Sequence, residues 1–297
     1  MSTSYNGLEQ RVARILCDPV TGEALAGYPI VRGIPRFVES DRYARSFSLE
    51  WTLHPRTQLD VFRGDTSSEQ EFVAKTGFSA GELAGKLVLD AGVGAGRYAD
   101  IASRWGADVV GVDLSYAVEA AQASLRERTN VWIAQADIGR LPFRPASFDV
   151  IFSIGVLHHT PDTRRYFMKL VPLLKPGGRI AIWVYPPEDS YLVRRRWVPF
   201  VNKIPPRWFH AWCTWFVPWV QAHAYGRIGG IVRNTFPISN RGAGLEWDIL
   251  DTFDGYSPRY HWLHSPAEVI GWFREAGLRN IRRPSAWNTC VRGDAPT

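Results

Sequence analysis

From residue 81 to 185 the sequence is built on one alternation, a short apolar run followed by a segment whose apolar residues recur every three or four positions. The runs are KLVLDAG, ADVVGVDL, VWIAQAD, FDVIFSIGV and GRIAIWVY, and the segments between them include RYADIASRWG, YAVEAAQASLRER and RRYFMKLVPLL. Runs that are apolar throughout suit strands whose two faces are both covered by helices. Strand–helix–strand at this rhythm predicts βαβ units and a doubly wound, Rossmann-like α/β sheet.

The flanks break the rhythm. Residues 1–80 form an irregular N-terminal extension in which IVRGIPRFV is the clearest strand-and-turn signal. Residues 186–260, rich in Trp, Pro, Arg and Gly, read as an insertion after the fifth strand. PAEVIGWFREAGL then reads as an amphipathic helix with Pro near its start and Gly at its end, and LRNIRRPSAW and TCVRG read as the last two strands. The expected organisation is an extension over 1–80 and one α/β domain over 81–297 that carries the insertion. Apolar residues make up 45% of the chain and charged residues 22%, a composition for a packed core rather than disorder. No run approaches the ~20 apolar residues that span a bilayer. The N-terminus lacks an apolar core with a small-residue cleavage site, and the three cysteines are far apart, so a cytoplasmic protein with reduced thiols is expected.

The turn after the first strand, in LVLDAGVGAGRYAD, places glycines at 92, 94 and 96 where a ligand of an open α/β sheet binds. Glycine lets a ligand approach bare backbone, and the helix start beyond offers free N–H groups. Dinucleotide binders use G-x-G-x-x-G; here Arg97 stands where the last glycine belongs, and Asp90 and Ala91 precede the turn. A carboxylate there repels a pyrophosphate and suits an ammonium group. Asp113, 23 residues on, ends the second strand, where it can accept from ribose hydroxyls, and Asp137 ends the third, where it can accept from an adenine amino group. The ligand so described is an adenosine without phosphate that carries a cationic amino acid. S-adenosylmethionine fits.

VLDAGVGAGRYA, VVGVDLS, AQADIGRLPF, SFDVIFSIGVLHHTPD and LLKPGGRIAIWVY, in this order and spacing, resemble the class I S-adenosylmethionine-dependent methyltransferases, nearest to the ubiquinone and menaquinone biosynthesis branch. The resemblance covers about a third of the chain. It implies a seven-stranded sheet of order 3-2-1-4-5-7-6 with the seventh strand antiparallel. It places Asp90, Ala91, Gly92 and Gly94 at the methionine end of the cofactor, Asp113 and Leu114 at ribose and adenine, Asp137 and Ile138 at the adenine edge, and Ser153 and Ile154 beneath the sulfonium. Gly96 is expected to allow close helix packing.

Methyl transfer requires an aligned nucleophile and the exclusion of water, with a general base when the acceptor is a hydroxyl. His158 and His159, in the loop after the fourth strand, are candidates for acceptor contact or base, with His159 preferred. Tyr256, Arg259, Tyr260, His261 and His264 crowd just before the last helix; they read equally as substrate contacts or as a satellite core. Phe47, Trp51 and Gln58 are candidates for a lid, with burial of Trp51 in an N-terminal helix as the plainer reading.

Net charge is +6, and six of the thirteen tryptophans fall between Trp183 and Trp219; the stretch from Ser190 to Asn234 holds Arg194, Arg195, Arg196, Lys203, Arg207, Arg227 and Arg233 and no acid. Such a stretch suits a helical cap over an apolar acceptor pocket, an anionic membrane surface or RNA, in that order of preference; self-association stays open. LCDPVTGEAL…IVRGIPRFV is similar to a small zinc-ribbon-like domain, but Cys17 stands alone and a zinc site needs four ligands, so no metal is expected. The expected activity is methyl transfer to a small or lipid-like molecule at oxygen, against an RNA methyltransferase or a non-catalytic binding scaffold.

Overall fold

The computed structural model describes residues 7–25, 27–54, 57, 59–223, 226–240, 244–285 and 289–297. Its central sheet has seven strands: β1 (Leu87–Ala91), β2 (Asp108–Asp113), β3 (Val131–Gln135), β4 (Phe148–Ile154), β5 (Leu174–Val184), β6 (Arg279–Arg282) and β7 (Thr289–Asp294). They lie in the order 3-2-1-4-5-7-6. The first five are parallel, and β7 runs antiparallel to both β5 and β6, as expected. β6 is shorter than LRNIRRPSAW suggests. Asn280 takes a φ of 51°, and the register slips between Arg279 and Arg282; Pro284 beyond them has no N–H for the ladder.

The α-helices longer than one turn are α1 (Gly7–Ile15), α2 (Arg45–Leu53), α3 (Ser67–Thr76), α4 (Arg97–Arg104), α5 (Ala117–Ser124), α6 (Thr163–Leu170), α7 (Asp189–Val201), α8 (Pro206–His223), α9 (Gly226–Thr235), α10 (Leu245–Asp254) and α11 (Pro266–Glu275). Strand alternation splits the core into two layers. Leu87, Leu89, Ile151 and Ile180 pack with Phe167 of α6, Phe273 of α11 and Leu8 and Val12 of α1. Val88, Val109, Val150 and Phe152 pack on the other face with Phe72 of α3, Ile101 of α4 and Val118 of α5. The apolar runs are continuous because both layers are closed. α11 starts as its sequence says: Ser265 accepts from Glu268 N–H at 3.2 Å, and Pro266 follows it.

Between β5 and α11 the chain forms α7 to α10. Phe209, Cys213 and Val217 of α8 bury against Ile249 and Phe253 of α10 and against Tyr256, a core separate from the two sheet layers. In the N-terminal segment, Ile30–Val31 pairs antiparallel with Ile34–Pro35 around Arg32 and Gly33, both at positive φ. Arg36 then bridges Gln135 on β3. Cys17 is buried, and its N–H donates to the Pro142 carbonyl. Among the described residues no group of three or more His, Cys, Asp or Glu could hold a metal ion, and no helix is long and apolar enough to cross a membrane.

Candidate active site

A cavity of about 180 Å³ opens beyond the carboxyl ends of β1, β2 and β4, closed above by α2 and flanked by α10. Its floor is the turn after β1. Gly92, Gly94 and Gly96 have φ of 102°, 52° and 93°, values that side chains resist. A Cβ at Gly94 would stand 3.5 Å from the Trp51 ring; one at Gly92 would come within 2.6 Å of Val156 Cγ1 and closer still to Cγ2. A Cβ at Gly96 would meet Leu125 Cδ1 at 2.7 Å. Gly92 lets the Val156 side chain lie against the turn, Gly94 keeps backbone bare beneath Trp51, and Gly96 lets α4 begin against the end of α5.

The strand-end acids differ in what they hold. Asp113 Oδ2 accepts from Gly94 N–H at 3.0 Å, and its Oδ1 accepts from the Ser115 N–H and hydroxyl at 2.8 and 2.6 Å, so it braces the glycine turn. Asp137 Oδ1 accepts from Gly139 N–H at 2.8 Å and lies behind the wall, while Leu114, Ile138 and Ile154 line it. Asp90 is buried, and its Oδ2 has no hydrogen-bond partner. Burial, and then the Asp113 carboxylate, push its carboxyl well above the usual range. Ser153 faces into the sheet and donates to the Ala91 carbonyl at 2.7 Å, tying β4 to β1.

The loop after β4 brings His159 to the wall. Its Nδ1 lies 2.8 Å from the Tyr260 carbonyl, which can only accept, so Nδ1 carries the hydrogen and Nε2 keeps a lone pair. That Nε2 is buried without a hydrogen-bond partner. Burial lowers the pKa to about 4 against the opposing pull of the backbone bond. His158 lies behind, fully buried, its ring centroid 3.8 Å from that of Tyr185. Burial and then the His159 ring push it well below the usual imidazole range. His261 sits 5.9 Å from His159, ring to ring, and burial followed by His159 lowers it to about 3.

The remaining acceptor candidates divide. Trp51 lines the cavity, and Phe47 on the same face of α2 lies 5.3 Å from the His159 ring. Tyr260 supplies the carbonyl that orients His159. Tyr256 is fully buried in the insertion core, donates to the Pro237 carbonyl at 2.8 Å and stacks on Phe236 at 4.1 Å, away from the cavity lining. Arg259 is exposed. His264 lies 2.9 Å from both Glu268 and Thr163, joining the starts of α11 and α6 away from the cavity. Gln58 lies outside the described residues.

Several lining residues escaped the sequence reading: Glu50, Glu71, Lys75, Arg97, Tyr185, Tyr191, Asp251 and Asp254; Arg194, from the stretch read as a cap, lines it too. Glu71 pairs with Lys75 and with Arg97, each at 2.5 Å, and Lys75 Nζ rests 3.5 Å from the Trp183 ring centre. Tyr185 hydroxyl donates to Asp254 Oδ2 at 3.1 Å. The available signal was spacing: 47, 50 and 51 share one face of a helix, as do 251 and 254.

The methyltransferase-domain family profile matches residues 89–182. A ubiquinone biosynthesis O-methyltransferase of Acinetobacter baylyi is 30% identical over 155 residues, covering 50% of this chain and 65% of that one. The chain thus spans less than two thirds of the length of that relative. A crystal structure of an S-adenosylmethionine-dependent methyltransferase from Mesorhizobium loti is 31% identical, with 37% of this chain and 50% of that one covered and a TM-score of 0.34. The ubiquinone biosynthesis O-methyltransferase of Ralstonia nicotianae is 32% identical over 176 residues, covering 58% of this chain and 71% of that one. The chain belongs to the class I S-adenosylmethionine-dependent methyltransferases. S-adenosylmethionine is the cofactor of this family, and the chain has features that fit it. Asp90 Oδ2, buried behind the lining without a hydrogen-bond partner, suits an ammonium group, and the bare backbone at Gly94 leaves room under Trp51. The position of the third dinucleotide-loop glycine is filled by Arg97, which is engaged with Glu71.

Proposed function

We propose that the protein methylates an oxygen of a small or lipid-like acceptor, with His159 as general base. The observation that carries this reading is the His159 ring: Nδ1 is pinned to the Tyr260 carbonyl, and Nε2 keeps a lone pair without a hydrogen-bond partner in a ring that lines the cavity. When bound, the cofactor supplies an electrophilic methyl carbon on a sulfonium. The chain's own part is to hold, orient and dry the site. Asp90, Ala91, Gly92 and Gly94 would hold the methionine end, Asp113 and Leu114 the ribose and adenine, and Ile138, with Asp137 behind it, the adenine edge. Ile154 would lie beneath the methyl, with Ser153 fixing β4 under it. Trp51 and Phe47 would exclude water from above, and His159 Nε2 would take the acceptor proton. Five carboxylates against three cations on the wall argue against a polyanionic RNA acceptor.

Incubation with methyl-labelled cofactor and separated RNA, lipid and small-molecule fractions tests this reading. Label in the small-molecule or lipid fraction, lost in His159→Gln, is the expected result. Label in RNA, or in nothing, refutes it and favours in turn the RNA enzyme or the binding scaffold.

A specific observation supports a second element, contact with an anionic membrane surface through α8 and its approach. Trp208 and Trp215 are 66% and 61% exposed, Phe200 and Ile204 just before them are also exposed, and the sequence holds no Asp or Glu between residues 190 and 245. Exposed Trp among Lys and Arg suits the lipid interface. Flotation with vesicles containing phosphatidylglycerol should carry the protein, and Trp208→Ala with Trp215→Ala should abolish it; equal flotation with neutral vesicles contradicts the charge argument.

A further inference from the structure

Nothing in the proposed methyl transfer uses residues 30–41, yet they lead directly into Tyr43, Ala44 and Phe47, which line the cavity. β3 is an edge strand of the sheet, and an edge leaves backbone N–H and C=O groups open to another strand. The N-terminal extension takes that place: Arg36 pairs parallel with Gln135, and Phe37 N–H donates to the Gln135 carbonyl at 2.8 Å. Covering an edge needs backbone bonds and no buried charge. Arg36 is nonetheless only 7% exposed, and burying a guanidinium costs free energy unless its partners are well placed.

Those partners lead to the cavity. Arg36 Nη2 donates to Glu119 Oε1 on α5 at 3.0 Å, and Nη1 donates to the side-chain Oε1 of Gln135 at 3.1 Å. Gln135 is buried as well, and its Nε2 donates to the Leu114 carbonyl at 2.8 Å. An arginine can only donate and a carbonyl can only accept. Arg36 therefore fixes which way the Gln135 amide faces; flipped, the amide would set its oxygen against the Leu114 oxygen and its N–H groups against the guanidinium. Leu114 lines the cavity beside Asp113. The same loop is held from the other side, where Tyr116 N–H donates to the Ser48 hydroxyl oxygen of α2 at 3.0 Å and that hydroxyl donates to Asp41 Oδ2 at 2.8 Å. The Arg36 guanidinium carbon lies 5.8 Å from the centre of the Tyr116 ring. Residues 114–116 thus stand between two parts of the extension.

We infer that Arg36 is a positioning residue for the cofactor: through the Gln135 amide it sets Leu114, and with it the adenosine end of the cavity. The role rests on the proposed placement of ribose and adenine at Asp113 and Leu114. It goes further in making the strand that covers the sheet edge a part of the cofactor site. Arg36 acts at a distance, so its effect reaches every ligand that carries adenosine and is blind to the amino-acid end.

The test uses the full chain and two ligands titrated by calorimetry: S-adenosylhomocysteine, and methylthioadenosine, which keeps the adenosine and lacks the amino acid. Arg36→Met keeps an apolar stem and removes both donors. It should weaken both ligands by the same factor, about tenfold, the worth of a buried hydrogen bond. Gln135→Glu separates positioning from simple clamping, because its carboxylate holds Arg36 more strongly yet turns an oxygen on the Leu114 carbonyl. Both affinities should fall by about tenfold, while urea denaturation shows the fold retained; this variant decides alone should Arg36→Met not fold. Gln135→Glu that binds both ligands as wild type does, a loss confined to S-adenosylhomocysteine, or Arg36→Met that loses stability in urea with both affinities intact overturns the inference. If neither variant folds, the pair is a structural clamp and the inference falls. Wild type that binds neither ligand overturns it together with the cofactor reading, whereas variants that bind both as tightly as a binding-competent wild type overturn the positioning role alone.

Discussion

Gly92→Ala joins the cofactor turn to the acceptor loop in one experiment. Gly92 has a φ of 102°, where an L side chain is strained by about 1–2 kcal/mol. The new methyl would press into Val156, within 2.6 Å of Cγ1 and nearer to Cγ2. Overpacking of this kind costs about 1–3 kcal/mol. A loss of roughly 3 kcal/mol is expected, or a fall in melting temperature of about 6 °C or more. Val156 precedes the turn that carries His159, so the same shift should weaken S-adenosylhomocysteine binding and disturb the base together. Val156→Ala alone should cost about 1 kcal/mol as a lost contact. In the double variant the contacts to both Val156 methyls are gone, while the φ strain and the 2.8 Å approach of the Cβ at 156 persist, so a coupling of about 1 kcal/mol is expected in a double-mutant cycle. Urea denaturation gives the four stabilities and calorimetry the ligand affinities. A Gly92→Ala protein within 0.5 kcal/mol of wild type (about the additivity error of such a cycle), or strictly additive variants, would refute the steric reasoning.

Three further outcomes are expected. His159→Gln should lower turnover by about a hundredfold or more; since the free base is the working form and its pKa is held to about 4, wild-type kcat/KM should show no His159 limb between pH 7.5 and 5. A limb centred at 6–7, near the ordinary imidazole value, and absent from the variant, would contradict that. His261 is lowered to about 3, so the unfolded chain takes up a proton below its ordinary pKa of ~6.5 that the native state refuses. Relative to His261→Gln, wild type should therefore lose stability as pH falls below 6.5, by about 1.4 kcal/mol between pH 7.5 and 5.5 in urea titrations, and parallel curves would count against it. Arg292, fully buried, donates to the Gly77 carbonyl at 2.6 Å, pairs with Glu82 and lies over Phe78. Arg292→Leu should cost about 3 kcal/mol in the same assay, and a loss below 1 kcal/mol would show the pair to be dispensable.

The sheet and its cofactor turn were legible because both are written locally. A strand covered on both faces must be apolar along its length, and a turn that approaches a ligand must spend glycines at fixed spacing. The same locality explains Gly96, whose crowding by Leu125 is a helix-packing demand. Ser153 was harder: a serine at a strand end reads as a ligand group until the neighbouring strand shows the Ala91 carbonyl accepting its hydroxyl. Tyr256 and His264 shared a polar-aromatic cluster with Tyr260 and His261, yet a few residues of chain direction send the first into the insertion core and the second to the start of α11.

By itself the sequence determined the doubly wound sheet, from its periodicity, and the family and strand order, through the resemblance that five motifs of adjacent residues carry. Only the tertiary structure decided which nitrogen of His159 is free and that Glu50 meets Asp251 and Asp254. The Tyr260 carbonyl that orients the imidazole comes from about a hundred residues away, and the acids face each other from helices some two hundred residues apart. An acid on an amphipathic helix looks solvated from its own neighbours; packing against distant elements is what strips its water and turns it toward a cavity.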